Sequence, residues 1–155
     1  MTIEELKAFF ANDRVAVGMG CEIIEADINH SVVAIDVEDK HLNGNNVVQG
    51  GVLFTLADFA CAVAANADTP AFVSADGNIS YLCAGTGKKL IANAKVIRKG
   101  KTLTFCTAEI TDETDKLLAT NSNTPAIIGI NDSPIPCKTF LYININPKKI
   151  INAAA

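Results

Sequence analysis

Gly50-Gly51-Val52-Leu53-Phe54-Thr55-Leu56-Ala57-Asp58-Phe59-Ala60-Cys61-Ala62-Val63-Ala64-Ala65-Asn66-Ala67 is the stretch that decides how the rest of the chain is arranged. It reads as one long helix, apolar almost all round, and a helix apolar on every side must be enclosed by other structure. It is too short for a membrane span and carries a charge in its middle, so it is a core helix. That charge, Asp58, is the only one in the stretch. Burying an unpaired carboxylate costs several kcal/mol unless it is hydrogen-bonded. A nearby backbone or hydroxyl donor, or one wet side of the helix, accounts for such a residue structurally. A catalytic role accounts for it as well.

Working backwards, residues 39–49 form a polar loop. Before it, Cys21 to Asp27 and Ser31 to Glu38 read as strands, the second alternating Val33, Ile35 and Val37 against Ala34, Asp36 and Glu38. Asn29-His30 suits the tight turn between them. Residues 2–12 carry Ile3, Leu6, Phe9 and Phe10 at helical spacing, with Thr2 and Glu5 placed as a capping box. Gly18 and Gly20 break that pattern. Working forwards, four strand-like runs follow at about 71–83, 88–99, 102–112 and 116–130, with short hairpin-type breaks between them. The order predicts an α+β fold: an antiparallel sheet curled around one central helix, in a single domain over 1–130. Residues 131–155, with Pro134, Pro136 and Pro147, are set apart as a C-terminal extension with no assigned role.

Composition narrows the function classes. The chain has 155 residues, 49% hydrophobic and 19% charged, which suits one globular domain. Seven Phe, two Tyr and no Trp imply an aliphatic core. A net charge of −4 argues against a nucleic-acid partner. Cys21, Cys61, Cys83, Cys106 and Cys137 are odd in number and lack metal spacing, which fits a reducing, cytoplasmic setting. Cys61, Cys83 and Cys106 lie in apolar runs and read as buried thiols. The N-terminus is acidic and amphipathic, unlike a signal peptide. His41 suits a loop-ordering role and His30 a turn. Neither has a metal-ligand partner, so no metal or cofactor is expected.

Gly50 and Gly51 supply the second chemical element. The first N–H groups of a helix lack intrahelical partners, and glycine lets a ligand approach them closely. A carbonyl oxygen gaining negative charge is stabilised there, although a flexible turn also explains a glycine pair. Asp58 lies eight residues past Gly50, about 12 Å along one helix. A small reacting carbonyl cannot easily touch both. Two helices running antiparallel across a dimer interface would bring one N-terminus to the middle of the other, which predicts a dimer with shared sites.

The run His41-Leu42-Asn43-Gly44-Asn45-Asn46-Val47-Val48-Gln49-Gly50-Gly51, continuing to Asp58, resembles the signature of the hotdog-fold acyl-CoA thioesterases, in particular the phenylacetic-acid-pathway (PaaI-like) group. The runs Val73 to Tyr81 and Arg98-Lys99-Gly100-Lys101 resemble that group's later strands and turn. The resemblance spans about residues 15–130. It implies that Asp58 is the catalytic nucleophile or general base, and that the Gly50 N–H, with Gly51 beside it, polarises the thioester carbonyl. It further implies that Asn43 lies near the carboxylate or the attacking water, that Ser74 positions that water, and that the protein is a homodimer or homotetramer. Two positions depart from the pattern. Gln49 stands where many relatives have His, and Asn46 where they often have Gly.

Arg98, Lys99 and Lys101 are candidates for the phosphates of coenzyme A, although lysines on a turn also serve to protect a sheet edge. The function expected is hydrolysis of an acyl-CoA thioester to the acid and coenzyme A. Two alternatives remain open: a hotdog-fold hydratase or dehydratase, which Gln49 weakens, and a non-catalytic acyl-CoA binder.

Overall fold

The computed structural model describes residues 1–68, 72–100 and 103–127. The N-terminal helix α1 (Ile3–Phe10) has the predicted capping box: the Thr2 hydroxyl accepts from the Glu5 N–H, and the Glu5 carboxylate accepts from the Thr2 N–H at 2.8 Å. Leu6 and Phe10 are its buried residues, and Phe10 meets Phe59 edge-to-face at 5.2 Å. A second short helix, α2 (Arg14–Gly18), follows directly, capped by the Asp13 side chain. The sequence did not suggest it, because Gly18 hides the single turn that Asp13 starts.

Strands β1 (Glu22–Asp27) and β2 (His30–Asp36) form a hairpin in which Asp27 faces His30. The turn is therefore Ile28-Asn29, one residue earlier than predicted. Asn29 takes the left-handed conformation, at φ 66°, which asparagine tolerates better than most residues. His30 is the first residue of β2, with Nε2 3.1 Å from the Asn93 side-chain oxygen.

After a single tight turn at Asp39–His41 comes α3 (Gly50–Asn66), then β3 (Phe72–Tyr81), β4 (Lys89–Lys99), β5 (Thr104–Asp112) and β6 (Leu117–Ile127). The strands make one antiparallel sheet in the order β1-β2-β4-β5-β6-β3, so β3 is an edge. The sheet wraps α3, which touches all six strands. Leu56, Ala57, Ala60, Cys61 and Val63 on α3 are fully buried. Leu90, Ala92, Ala94, Ala108 and Ile110 close over them from the sheet. Small residues on β4 and β5 let the sheet approach the helix closely. The Ser31 hydroxyl donates to the Ala60 carbonyl at 2.7 Å and pins helix to sheet from β2. This is the hotdog arrangement.

Strand β3 contains a bulge. Ser74 pairs with Pro125 and Asp76 with Thr124, so Ala75 is an extra residue on the β3 side. Residues facing the helix switch at the bulge from Phe72 and Ser74 to Gly77, Ile79 and Tyr81. A bulge re-aims side chains in just this way.

Of the cysteines, Cys61 and Cys106 are buried as expected, whereas Cys83 is half-buried and its thiol donates to the Leu117 carbonyl at 3.0 Å. The end of β3 lies at the open edge of the sheet, which keeps Cys83 from full burial. Among the described residues no helix is long and apolar enough to cross a membrane. Residues 131–155, including Cys137, lie outside the described residues.

Candidate active site

The first of two groups surrounds the start of α3. His41 is buried and ties down both ends of the loop before the helix. Its Nδ1 accepts from the Glu38 N–H at 2.9 Å, and its carbonyl accepts from the Gln49 N–H at 2.9 Å. Asn43 works inside the same loop, its side-chain oxygen accepting from the N–H groups of Asn45 (2.8 Å) and Val47 (3.4 Å). Asn46 has φ 57°, the left-handed region. It takes a backbone conformation that glycine adopts freely and asparagine tolerates.

Gln49 is the N-cap of α3. Its side-chain oxygen accepts from the Gly51 N–H, and from the Val52 N–H at 3.3 Å. This uses up the Gly51 N–H, leaving the Gly50 N–H without a hydrogen-bond partner among the described residues. Tyr81 closes over Gly50 from β3, donating from its hydroxyl to the Gly50 carbonyl at 3.1 Å. A Cβ at position 50 would lie 3.1 Å from that ring, so a larger residue there would press on Tyr81. A cavity of about 340 Å³, walled by Val48, Leu53, Tyr81 and Leu82, opens beside Gly50.

The second group is in the middle of α3. Asp58 is half-buried and makes its two hydrogen bonds through one oxygen. Its Oδ1 accepts from the Ser74 hydroxyl at 2.6 Å and from the Asn123 side-chain amide at 2.6 Å. No hydrogen bond or ion pair reaches Oδ2 among the described residues. Nearby, the Cys61 thiol is pushed well above its ordinary range, first by its hydrogen bond with Cys106 and then by burial. It stays neutral.

The basic residues are elsewhere. Lys99 reaches the far end of α3, where it pairs with Asp68, approaches the Ala65 carbonyl at 3.4 Å and lies over the Phe72 ring at 5.2 Å. A cation is favourable at a helix C-terminus, so structure alone gives Lys99 a role. Arg98 precedes it on β4, and Lys101 lies outside the described residues. Within one chain, therefore, the predicted residues form three clusters. Asn43, Gln49, Gly50 and Gly51 share the N-terminal end of α3, Asp58 and Ser74 its middle, and Lys99 its C-terminal end.

The thioesterase superfamily model matches residues 45–119, which contain Gly50, Asp58 and Ser74. The acyl-coenzyme A thioesterase PaaI of Escherichia coli (strain K12) is 36% identical over 113 residues, covering 72% of this chain and 81% of that protein. The chain belongs to the thioesterase superfamily. A putative esterase of Archaeoglobus fulgidus is a second relative, 33% identical over 120 residues, covering 76% of this chain and 77% of that protein. The solved structure of the E. coli PaaI protein from the phenylacetic acid degradation operon superposes with a TM-score of 0.75 at 32% identity, covering 81% of this chain and 92% of that one.

Two residues in contact with the candidate site, Tyr81 and Asn123, were not among the sequence candidates. Tyr81 was visible only as part of a strand. Asn123 lies past the end of the family match, in the run Asn121-Ser122-Asn123-Thr124, where four consecutive polar residues conceal which ones face inward. The available signal was a pair of asparagines two apart in a strand, where asparagine is disfavoured.

Proposed function

We propose that this protein hydrolyses an acyl-CoA thioester to the free acid and coenzyme A, with Asp58 as the catalytic carboxylate and the Gly50 N–H as the donor to the carbonyl oxygen. The observation that carries this reading is Asp58 itself, a carboxylate in an apolar helix with one oxygen held and the other open. As general base, Asp58 takes a proton from water as the water oxygen bonds to the thioester carbon. The carbonyl oxygen becomes an oxyanion at the Gly50 N–H. Collapse breaks the carbon–sulfur bond, and the proton passes from Asp58 to the departing thiolate. As nucleophile, Asp58 instead forms an anhydride that water then opens. Ser74 positions the carboxylate in either case. Asn43 keeps the loop, and with it the first turn of α3, in place. Gln49 acts as the helix cap and so keeps the Gly50 donor in place without a histidine at this position.

The distance between Gly50 and Asp58 on one helix supports a homodimer in which each site joins the start of one α3 to the middle of its partner's. Among the described residues strand β3 is a long, uncovered edge with Asp76, Gly77 and Asn78 exposed, and such an edge is suited to pairing with a second copy. A homotetramer would be a pair of these dimers. Arg98, Lys99 and Lys101 remain the candidates for the coenzyme A phosphates, and Gly51 the candidate beside the approach. The free cysteines fit a cytoplasmic setting.

Thiol release from a panel of short, medium and aromatic acyl-CoAs tests the activity. Normal turnover by Asp58→Ala sinks the assignment of that residue. Saturable binding without thiol release would select a non-catalytic binder, and an enoyl product without thiol release a hydratase. Single turnover in ¹⁸O-water separates the two roles of Asp58, because label entering the carboxylate marks an anhydride.

A further inference from the structure

We infer that Asn123, seated in the space left by Gly77, is a positioning residue that holds Asp58 by one oxygen and so keeps the other free for the reaction. The inference rests on Asp58 being the catalytic carboxylate.

Four observations support it. A carboxylate only accepts, so the Asn123 atom 2.6 Å from Asp58 Oδ1 must be the amide nitrogen. The Asn123 side chain is almost completely buried, at 2% exposure, and its oxygen has no hydrogen-bond partner among the described residues. An orphaned buried acceptor is costly, and an apolar residue would fill the place without that cost. What asparagine supplies here and an apolar residue cannot is the nitrogen's bond to Asp58.

Gly77 is the third observation. It pairs directly with Asn123 across β3 and β6. A Cβ there would come within 2.7 Å of the Asn123 side-chain oxygen and 3.1 Å of Phe54 Cζ. Gly77 does not have a positive φ, so glycine is needed here for its lack of volume and not for its backbone. A side chain at 77 would press on that oxygen, and a turn of the Asn123 amide to relieve the contact would break its bond to Asp58.

The bulge at Ala75 is the fourth. It brings both Ser74 and Gly77 to the helix side of β3, though an unbroken strand would send one of them outward. Ser74 on β3 and Asn123 on β6 thus reach the same oxygen from neighbouring strands. The Cys61 thiol on α3 lies within electrostatic reach of Asp58, and no salt bridge among the described residues involves Asp58.

The test uses Asn123→Asp, Gly77→Ala and Asp58→Ala in the full chain, assayed with the acyl-CoA that turns over fastest. Asn123→Asp keeps the shape but sets a second carboxylate against Asp58. The acid limb of its kcat profile should move up by about one pH unit or more, with KM nearly unchanged. Gly77→Ala should lower kcat by roughly tenfold at neutral pH through the displaced amide, again with KM held. If Asn123→Asp does not fold, Gly77→Ala decides by the same readouts. Folded variants with kcat within about twofold of the parent and an unmoved acid limb overturn the positioning role. If Asp58→Ala turns over normally, the catalytic reading falls and takes this inference with it. If Asp58→Ala is inactive while the other two match the parent, only the inference falls.

Discussion

The first turn of α3 and its middle ask different things of the chain. In the proposed site the functional group at Gly50 is a backbone N–H, present in every residue but proline. What the sequence must supply there is conformation: a capped helix start, a tied loop and an absent side chain. At Asp58 the functional group is a side chain, and the sequence must supply that residue and the donors that hold it. The first kind of site fails when geometry is lost and the second when chemistry is lost.

Replacing Asp58 should have the largest effect. Asp58→Ala should lower kcat by about 10²–10⁴, the usual contribution of a positioned acid–base group, as read from steady-state thiol release. The Gly50 end needs a change to the backbone. Gly50→Pro removes the N–H at the first helical position, where proline is tolerated. It should cost about 10²–10³ in kcat. The new ring would press on Tyr81, so Gly50→Ala is the control: it adds bulk but keeps the N–H, and it should lose much less.

Gln49→Ala should act on stability more than on chemistry. Loss of an N-cap costs about 1 kcal/mol, measurable as a shift in the urea midpoint, and Gln49→Ser should recover it. A fall in kcat that Gln49→Ser does not repair would mean that Gln49 touches substrate. The smallest effect is expected at a carboxylate remote from the site. Asp112 is held below its ordinary value of 3.8, first by the Thr114 hydroxyl and then by the N–H groups of Thr114 and Lys116. Its folded pKa lies below the unfolded one, so its stabilising contribution is present above the unfolded value and lost as pH falls through the folded one. Asp112→Asn should flatten the acid side of the stability profile and leave neutral kcat unchanged.

The two regions were also unequally legible. Asp58 was visible because a charge interrupts an apolar run, and Gly50 because a glycine pair opens that run. The enclosing sheet followed from the same run, since a helix without a polar face requires cover. Ser74 came through family resemblance alone. Asn123 could not be found by either route. Its meaning depends on which strand pairs with β6 and in what register, and β3, its partner, changes face part-way along. The cap formed by Gln49 was hidden too, because glutamine is not among the preferred N-cap residues.

Strand β3 carries one further consequence. Its two halves are out of step by a single residue, which lets one strand address both the middle of α3 through Ser74 and its beginning through Tyr81. The register is therefore stored as a count. Deleting Ala75 would change no functional side chain, yet it would put Ser74 and Tyr81 out of phase. Two relatives could keep every one of these residues and differ in activity through one gap, and the gap would be the mutation that matters.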